Sequence, residues 1–194
     1  GYGRTRRILQ SSGVPCVPVP VDRQGLVVEK LAETNARLAY VTPSHQFPTG
    51  AVMPAGRRAA LLQWALAAPG RYIIEDDYDS EYRHLGPPLP PLWSLAPDLV
   101  AHLGTFAAVL GRDVGTGYLV APPSWQDQLL EARSALGGGV APIVQRALAR
   151  YLQAGGLRRR LARARRRAEA AQAEVSQRID TLRARPHVTG VTDT

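Results

Sequence analysis

The chain has 194 residues, 45% of them hydrophobic, with a net charge of +8 at pH 7. That length suits one domain or one and a half, with enough apolar content to bury a core. A single cysteine, Cys16, excludes an internal disulfide framework, and the absence of an 18-residue apolar run or a signal peptide argues against a membrane span and for the cytoplasm.

The sequence starts at Gly1 rather than Met, which reads as a piece of a longer reading frame. In chain order, CVPVPV (16–21) is short, β-branched and rich in proline, as an edge strand is. LAYVTP (38–43) and RYIIEDD (71–77) are apolar runs ending in polar residues, as buried strands of an α/β sheet do. AHLGTF (101–106) and GYLVAP (117–122) repeat that form. Between them PAGRRAALLQWALAA (54–68) carries Leu61, Leu62, Trp64, Ala65 and Ala68 at helical spacing, with Pro54 in its first turn. Strands alternating with helices predict a mostly parallel, doubly wound α/β sheet, whose ligands sit beyond the carboxyl ends of the strands.

From about residue 123 the pattern turns helical. PSWQDQLLEARSAL and APIVQRALARYLQA each read as one helix, closed by Gly137–Gly139 and by Gly155–Gly156. A long third helix follows, with Leu157, Leu161, Ala164, Ala168, Ala171, Val175, Ile179 and Leu182 in one narrow apolar stripe. PHVTGVTDT at the end reads as a turn and the start of a strand. The domains expected are residues 1–125 for the α/β part and 126–194 for a helical connection leading into a second, incomplete domain.

Three segments carry candidate chemistry. EDDYDSEY (75–82) holds five carboxylates and two tyrosines directly after a strand. It can be a solvated acidic loop, a metal site, or an acid placed to hold a protonated heterocycle. Consecutive acids alternate in direction and no histidine pair lies at ligand spacing, which counts against the metal. SHQFPTG (44–50) sets His45 and Gln46 in a polar turn, where a histidine is more often merely exposed. GTF (104–106) brings a glycine and the Thr105 hydroxyl to a strand end, a sign of phosphate contact.

Charge is concentrated in residues 156–185, where ten arginines face Glu169, Glu174 and Asp180. Clustered arginines neutralise phosphates, so a nucleic-acid-binding module is one reading. A solvated helix face is the other, and no aromatic residues are interleaved for stacking. Lys30 is the only lysine, so lysine chemistry has a single address.

The order VPVDxxGL (19–26), VTPSHQFPTGAVMP (41–54), IIEDDYDSEYR (73–83), LGTF (103–106) and GYLVAPP (117–123) resembles the aminotransferase-like domain of MocR-type regulators. These form the branch of the GntR family that joins a winged helix-turn-helix to a fold-type-I pyridoxal-phosphate domain. The resemblance runs nearly end to end, and the opening GYGRTRRILQSSG is similar to the segment following the family's glutamate-aspartate-proline strand. It implies a fold-type-I large domain, a cofactor, an amino-compound effector, DNA as partner of the winged helix and a homodimer.

By the same resemblance Asp76 matches the aspartate paired with the cofactor's pyridine nitrogen, and Tyr78 the tyrosine near its 3-hydroxyl. Tyr2 matches a pocket tyrosine, His45 and Gln46 border the ring, and Thr105 remains from the phosphate-side turn. The departures are sharper. Ala107, Ala108 and Val109 stand for the family's serine, Schiff-base lysine and second serine, and Gly115 stands for its phosphate-binding arginine. Arg112 could serve nearby only with a frame offset. An alanine forms no imine and moves no proton, so the resemblance implies an ancestral cofactor site without its covalent anchor. A working aminotransferase is the alternative, and Lys30, in VVEKLAET, lies away from the expected crevice.

Overall fold

Four apolar runs pair into one sheet, and the ladder explains where the polar strand ends meet. The computed structural model describes residues 2–79, 89–111, 114–137 and 139–183. The first element is α1 (Gly3–Ser11), followed by a two-residue hairpin of β1 (Val21–Asp22) and β2 (Gly25–Leu26). In that hairpin the Gln24 N–H donates to Asp22 Oδ1 at 2.7 Å and Gly25 takes a φ of 88°, which a side chain would resist. Next come α2 (Val28–Ala32), β3 (Leu38–Val41), α3 (Ala55–Leu66) and β4 (Tyr72–Asp77). Then follow α4 (Leu92–Leu95), β5 (Val100–Thr105), α5 (Ala107–Leu110) and β6 (Gly117–Val120). A 3₁₀ turn at Pro123–Trp125 leads into α6 (Gln126–Ala135), then α7 (Pro142–Gln153) and α8 (Gly156–Arg183).

The main sheet runs β3-β4-β5-β6, parallel across the first three strands and antiparallel at β6. This is the mostly parallel α/β sheet expected. Its core is built from Leu31, Val41, Met53, Leu61, Trp64, Ile73, Leu92 and Val100, all nearly inaccessible. Strand alternation sorts β3, with Ala39 and Val41 in the core and Tyr40 on the opposite face, where its hydroxyl lies 3.5 Å from Thr5 Oγ1 of α1. Arg57 of α3 bonds both Asp22 and the Gly25 carbonyl, tying the hairpin to that helix.

Two expectations change in detail. CVPVPV forms no strand over 16–20; only Val21 reaches a ladder, because Pro18 and Pro20 offer no N–H. The helix expected from Pro123 is divided, the 3₁₀ turn preceding α6. The C-terminal strand start, 186–194, lies outside the described residues.

The chain divides into two compact units, one of residues 1–80 with 87–140 and one of 81–86 with 141–194. In the second, α7 packs on α8 across a turn closed by Gly155, whose φ of 68° is the left-handed conformation that ends helices. Twelve residues of α7 span about 18 Å and the 28 of α8 about 42 Å. The apolar stripe of α8 is half-buried at Leu157, Leu161, Ala164, Ala168 and Ile179, while Ala171, Val175 and Leu182 are exposed.

Candidate cofactor site

The parallel register brings three strand ends to one edge. Asp76 pairs with Leu103 and Asp77 with Gly104, so the end of β4 lies beside the end of β5. Val41 pairs with Glu75, which sets the 42–50 turn after β3 at the same edge. Across from Thr105 stands Gly117 of β6. Tyr2, His45, Gln46, Asp76, Tyr78 and Thr105 therefore all belong to the first unit, and the last five sit at or just beyond the carboxyl edge of the sheet.

The acidic run is divided by the pleat. Glu75 points into the core, 1% exposed, where its carboxylate accepts the N–H groups of Leu92 (2.8 Å) and Trp93 (3.2 Å). His102 Nδ1 lies 2.9 Å from it and Arg58 Nη1 at 3.9 Å. Arg58 is itself buried and donates to the carbonyls of Met53, Pro90 and Pro43. This buried Arg–Glu–His group escaped the reading of EDDYDSEY as one cluster; the period of two along β4 is the signal that separates Glu75 from Asp76.

Asp76 faces the other way and accepts a hydrogen bond from the Tyr40 hydroxyl. Burial pushes its carboxyl above the ordinary range; the Tyr40 bond opposes this, and the charges of Asp77 and Asp79 add to it. The Tyr40 phenol is raised as well, by burial first and then by donating to Asp76. Tyr40 was not singled out from the sequence, although its place on the same strand face as Leu38 marks it.

Tyr78 donates to the His45 carbonyl at 3.0 Å, and burial with the nearby charges of Asp79 and Asp76 pushes its phenol up to about 12. His45 Nδ1 and Asp79 Oδ1 approach to 2.9 Å without the alignment of a hydrogen bond. Gln46 is buried and built into its turn: Oε1 accepts from Thr42 at 3.3 Å and Nε2 donates to the Phe47 carbonyl at 3.1 Å. The Phe47–Pro48 bond is cis. Phe47, also missed, stands edge-on to Tyr2 at 5.4 Å and to Tyr78 at 6.3 Å, making an aromatic row along the turn.

On the β5 side, Thr105 Oγ1 accepts the Ala107 N–H at 3.0 Å and starts α5. Ala108 is exposed on the first turn of that helix and Val109 is buried. Gly104 is covered by the Tyr118 ring, whose nearest atom would stand 2.1 Å from an added Cβ. Gly115 has a φ of 55°. Arg112 lies outside the described residues, as do Glu81 and Tyr82. Lys30 is an exposed surface residue bonded to Glu33 at 2.8 Å. No group of three metal-ligating side chains comes together among the described residues.

No family model matches the chain. It is 50% identical over 167 residues to the HTH-type pyridoxine biosynthesis transcriptional regulator PdxR of Corynebacterium glutamicum, covering 86% of this chain and 36% of that protein. By sequence the chain is a homologue of the MocR-type regulators. The probable rhizopine catabolism regulatory protein MocR of Rhizobium meliloti is 37% identical over 86% of this chain and 34% of its own length. The chain thus spans about a third of the length of these curated MocR-type relatives. Among solved structures, the α-aminoadipate aminotransferase LysN of Thermus thermophilus matches with a TM-score of 0.74 at 31% identity, covering 84% of this chain and 44% of that one. Aminotransferase Aro8 of Candida albicans matches with a TM-score of 0.82 over 93% of this chain and 44% of that one, at 20% identity, a likeness of fold alone. The fold is that of the fold-type-I aminotransferases, whose family cofactor is pyridoxal phosphate.

The residues present fit that cofactor in part only. Asp76 offers a carboxylate at the strand end, and Tyr78 and His45 border the same edge. After β5, Ala108 has no amine and Gly115 no guanidinium, while the Thr105 hydroxyl accepts the Ala107 N–H and keeps its own O–H to donate. No catalytic step follows from this set.

Proposed function

We propose that the chain is the aminotransferase-like effector portion of a MocR-type transcriptional regulator whose cofactor site has lost covalent attachment. The observation that carries this is Ala108, an exposed methyl on the turn where the family's lysine would stand. In this reading the parent protein answers to an amino compound, contacts DNA through a winged helix-turn-helix that is no part of the 194 residues, works as a homodimer and resides in the cytoplasm. Pyridoxal phosphate belongs to the family, and its binding here is weak or lost. Asp76, held above its ordinary range, Tyr78, Tyr2, His45, Gln46 and Thr105 form the vestigial pocket, and no residue is catalytic.

Mixing the chain with pyridoxal phosphate, reducing with borohydride and mapping the adduct by mass spectrometry tests this. The expected result is no adduct; one on Lys30 overturns the reading. Ala108→Lys should restore an adduct at residue 108. Adding Gly115→Arg should help less than its charge suggests, because a φ of 55° costs a side chain about 1 kcal/mol.

A further inference from the structure

The basic run of α8 breaks two rules of helix electrostatics. Residues 156–168 hold seven arginines and no carboxylate, and the first acid of the helix is Glu169. Arg158, Arg159 and Arg160 stand at its start, where the helix dipole favours acids and the first turn has none. Arg163 has arginines three or four residues away on both sides, Arg159 and Arg160 before it and Arg166 and Arg167 after it. Like charges at that spacing are neighbours on the helix surface and repel. An anion laid along the helix would relieve both conflicts. A merely solvated face would intersperse acids among the arginines, as Glu174 and Arg178 do further along the same helix at 2.6 Å.

Five of these arginines share one face. At about 100° per residue, Arg159, Arg160, Arg163, Arg166 and Arg167 fall within an arc of about 120°, on the side away from the apolar stripe. All five are exposed. Arg159 donates to the Ala154 carbonyl at 2.7 Å, a neutral partner that holds the guanidinium and leaves its charge in place. From Arg159 to Arg167 the helix rises about 12 Å, so the face carries one positive charge per about 2.4 Å. Duplex DNA carries one negative charge per about 1.7 Å of its axis, a comparable density. No residue of α8 is aromatic, so no base has a ring to stack on and the match is to phosphates alone.

We propose that this face of α8 is a sequence-independent contact for the phosphate backbone of duplex DNA, separate from the winged helix of the parent protein. The charge geometry calls for a polyanion. The choice of DNA among polyanions rests on the regulator reading above, which brings the duplex to the same polypeptide. An acidic protein surface is the competing partner, and its carboxylates lack the unbroken charge row of a duplex.

Fluorescence anisotropy of a short duplex of arbitrary sequence, titrated with the 194-residue chain at increasing salt, tests this. Five phosphate contacts give a slope of log affinity against log salt of about −4.5. Arg159→Gln, Arg163→Gln and Arg166→Gln together should bring it to about −2. Glutamine suits a helix nearly as well as arginine, so α8 stays folded in that variant. Arg4→Gln, Arg6→Gln and Arg7→Gln in α1 remove the same charge elsewhere and should leave the slope near its starting value. The duplex should also raise the melting temperature of the helical circular dichroism in the unaltered chain and not in the α8 variant. The proposal is overturned if the duplex does not bind at low salt, if the α8 variant keeps the full slope, or if the α1 variant loses as much. Polyglutamate displacing the duplex at equal charge would overturn it too, in favour of an acidic protein partner. An adduct on Lys30, which overturns the regulator reading, leaves these slopes unchanged, so the two failures are told apart.

Discussion

Asp76 and Tyr78 sit within three residues of one another, and burial raises both. A carboxyl whose folded pKa exceeds its unfolded 3.8 binds its proton more tightly in the folded chain. The stability it contributes is complete below 3.8 and is lost as pH rises through the raised value. Asp76→Asn, with no charge to desolvate, should therefore gain in stability relative to the parent chain as pH rises through that window, as read by urea denaturation. Tyr78 follows the same sign at the alkaline end, its contribution fading as pH climbs from 10 to about 12. Tyr78→Phe should remove that alkaline dependence and cost about 1 kcal/mol near neutrality for the lost bond to the His45 carbonyl. Gly104 is a third residue with a decisive neighbour. GTF reads from the sequence as a phosphate signal, yet the glycine is the seat of the Tyr118 ring. Gly104→Ala should displace the exposed Tyr118 ring and cost no more than about 1 kcal/mol in the same assay.

Elements were legible wherever one apolar period covered the whole element. β3, β4, β5, β6, α3 and α7 lie where alternation or helical spacing places them. The stripe of α8 was equally legible as a pattern, but a pattern does not say how far a partner reaches. Leu161→Ala should lower stability by about 1–2 kcal/mol, while Val175→Ala should stay within about 0.5 kcal/mol, because α7 ends long before α8 does. The short α4 depends on something no local pattern shows: its first N–H groups are held by Glu75, seventeen residues earlier. Replacing Glu75 by Ala leaves the Leu92 and Trp93 amides without their acceptor and the buried Arg58 without its opposing charge, and should cost about 3–5 kcal/mol in urea denaturation. An acidic cluster that looks solvated in the sequence thus includes a carboxylate that anchors the core.

At the scale of the molecule, the four-stranded sheet ends in two edges, β3 and β6. Both present exposed apolar side chains, Leu38 and Leu119 among them. Unpaired edges of this kind template association between copies. Light scattering of the 194-residue chain should show concentration-dependent growth that Leu119→Lys reduces.

Composition, period and motif order were sufficient for the α/β class, the order of elements and the likeness to MocR-type regulators, because these depend on residues near one another in the chain. The proposed loss of covalent attachment rests on the same resemblance, which sets Ala108 and Gly115 against the family's lysine and arginine. What the chain could not announce were contacts between residues tens of positions apart. Tyr40 finds Asp76, Phe47 stands between Tyr2 and Tyr78, and Arg58 meets Glu75 and His102 only once parallel register sets the strand ends side by side. Side-chain type fixes what a residue is able to bond; the packing of the sheet decides which partner it reaches.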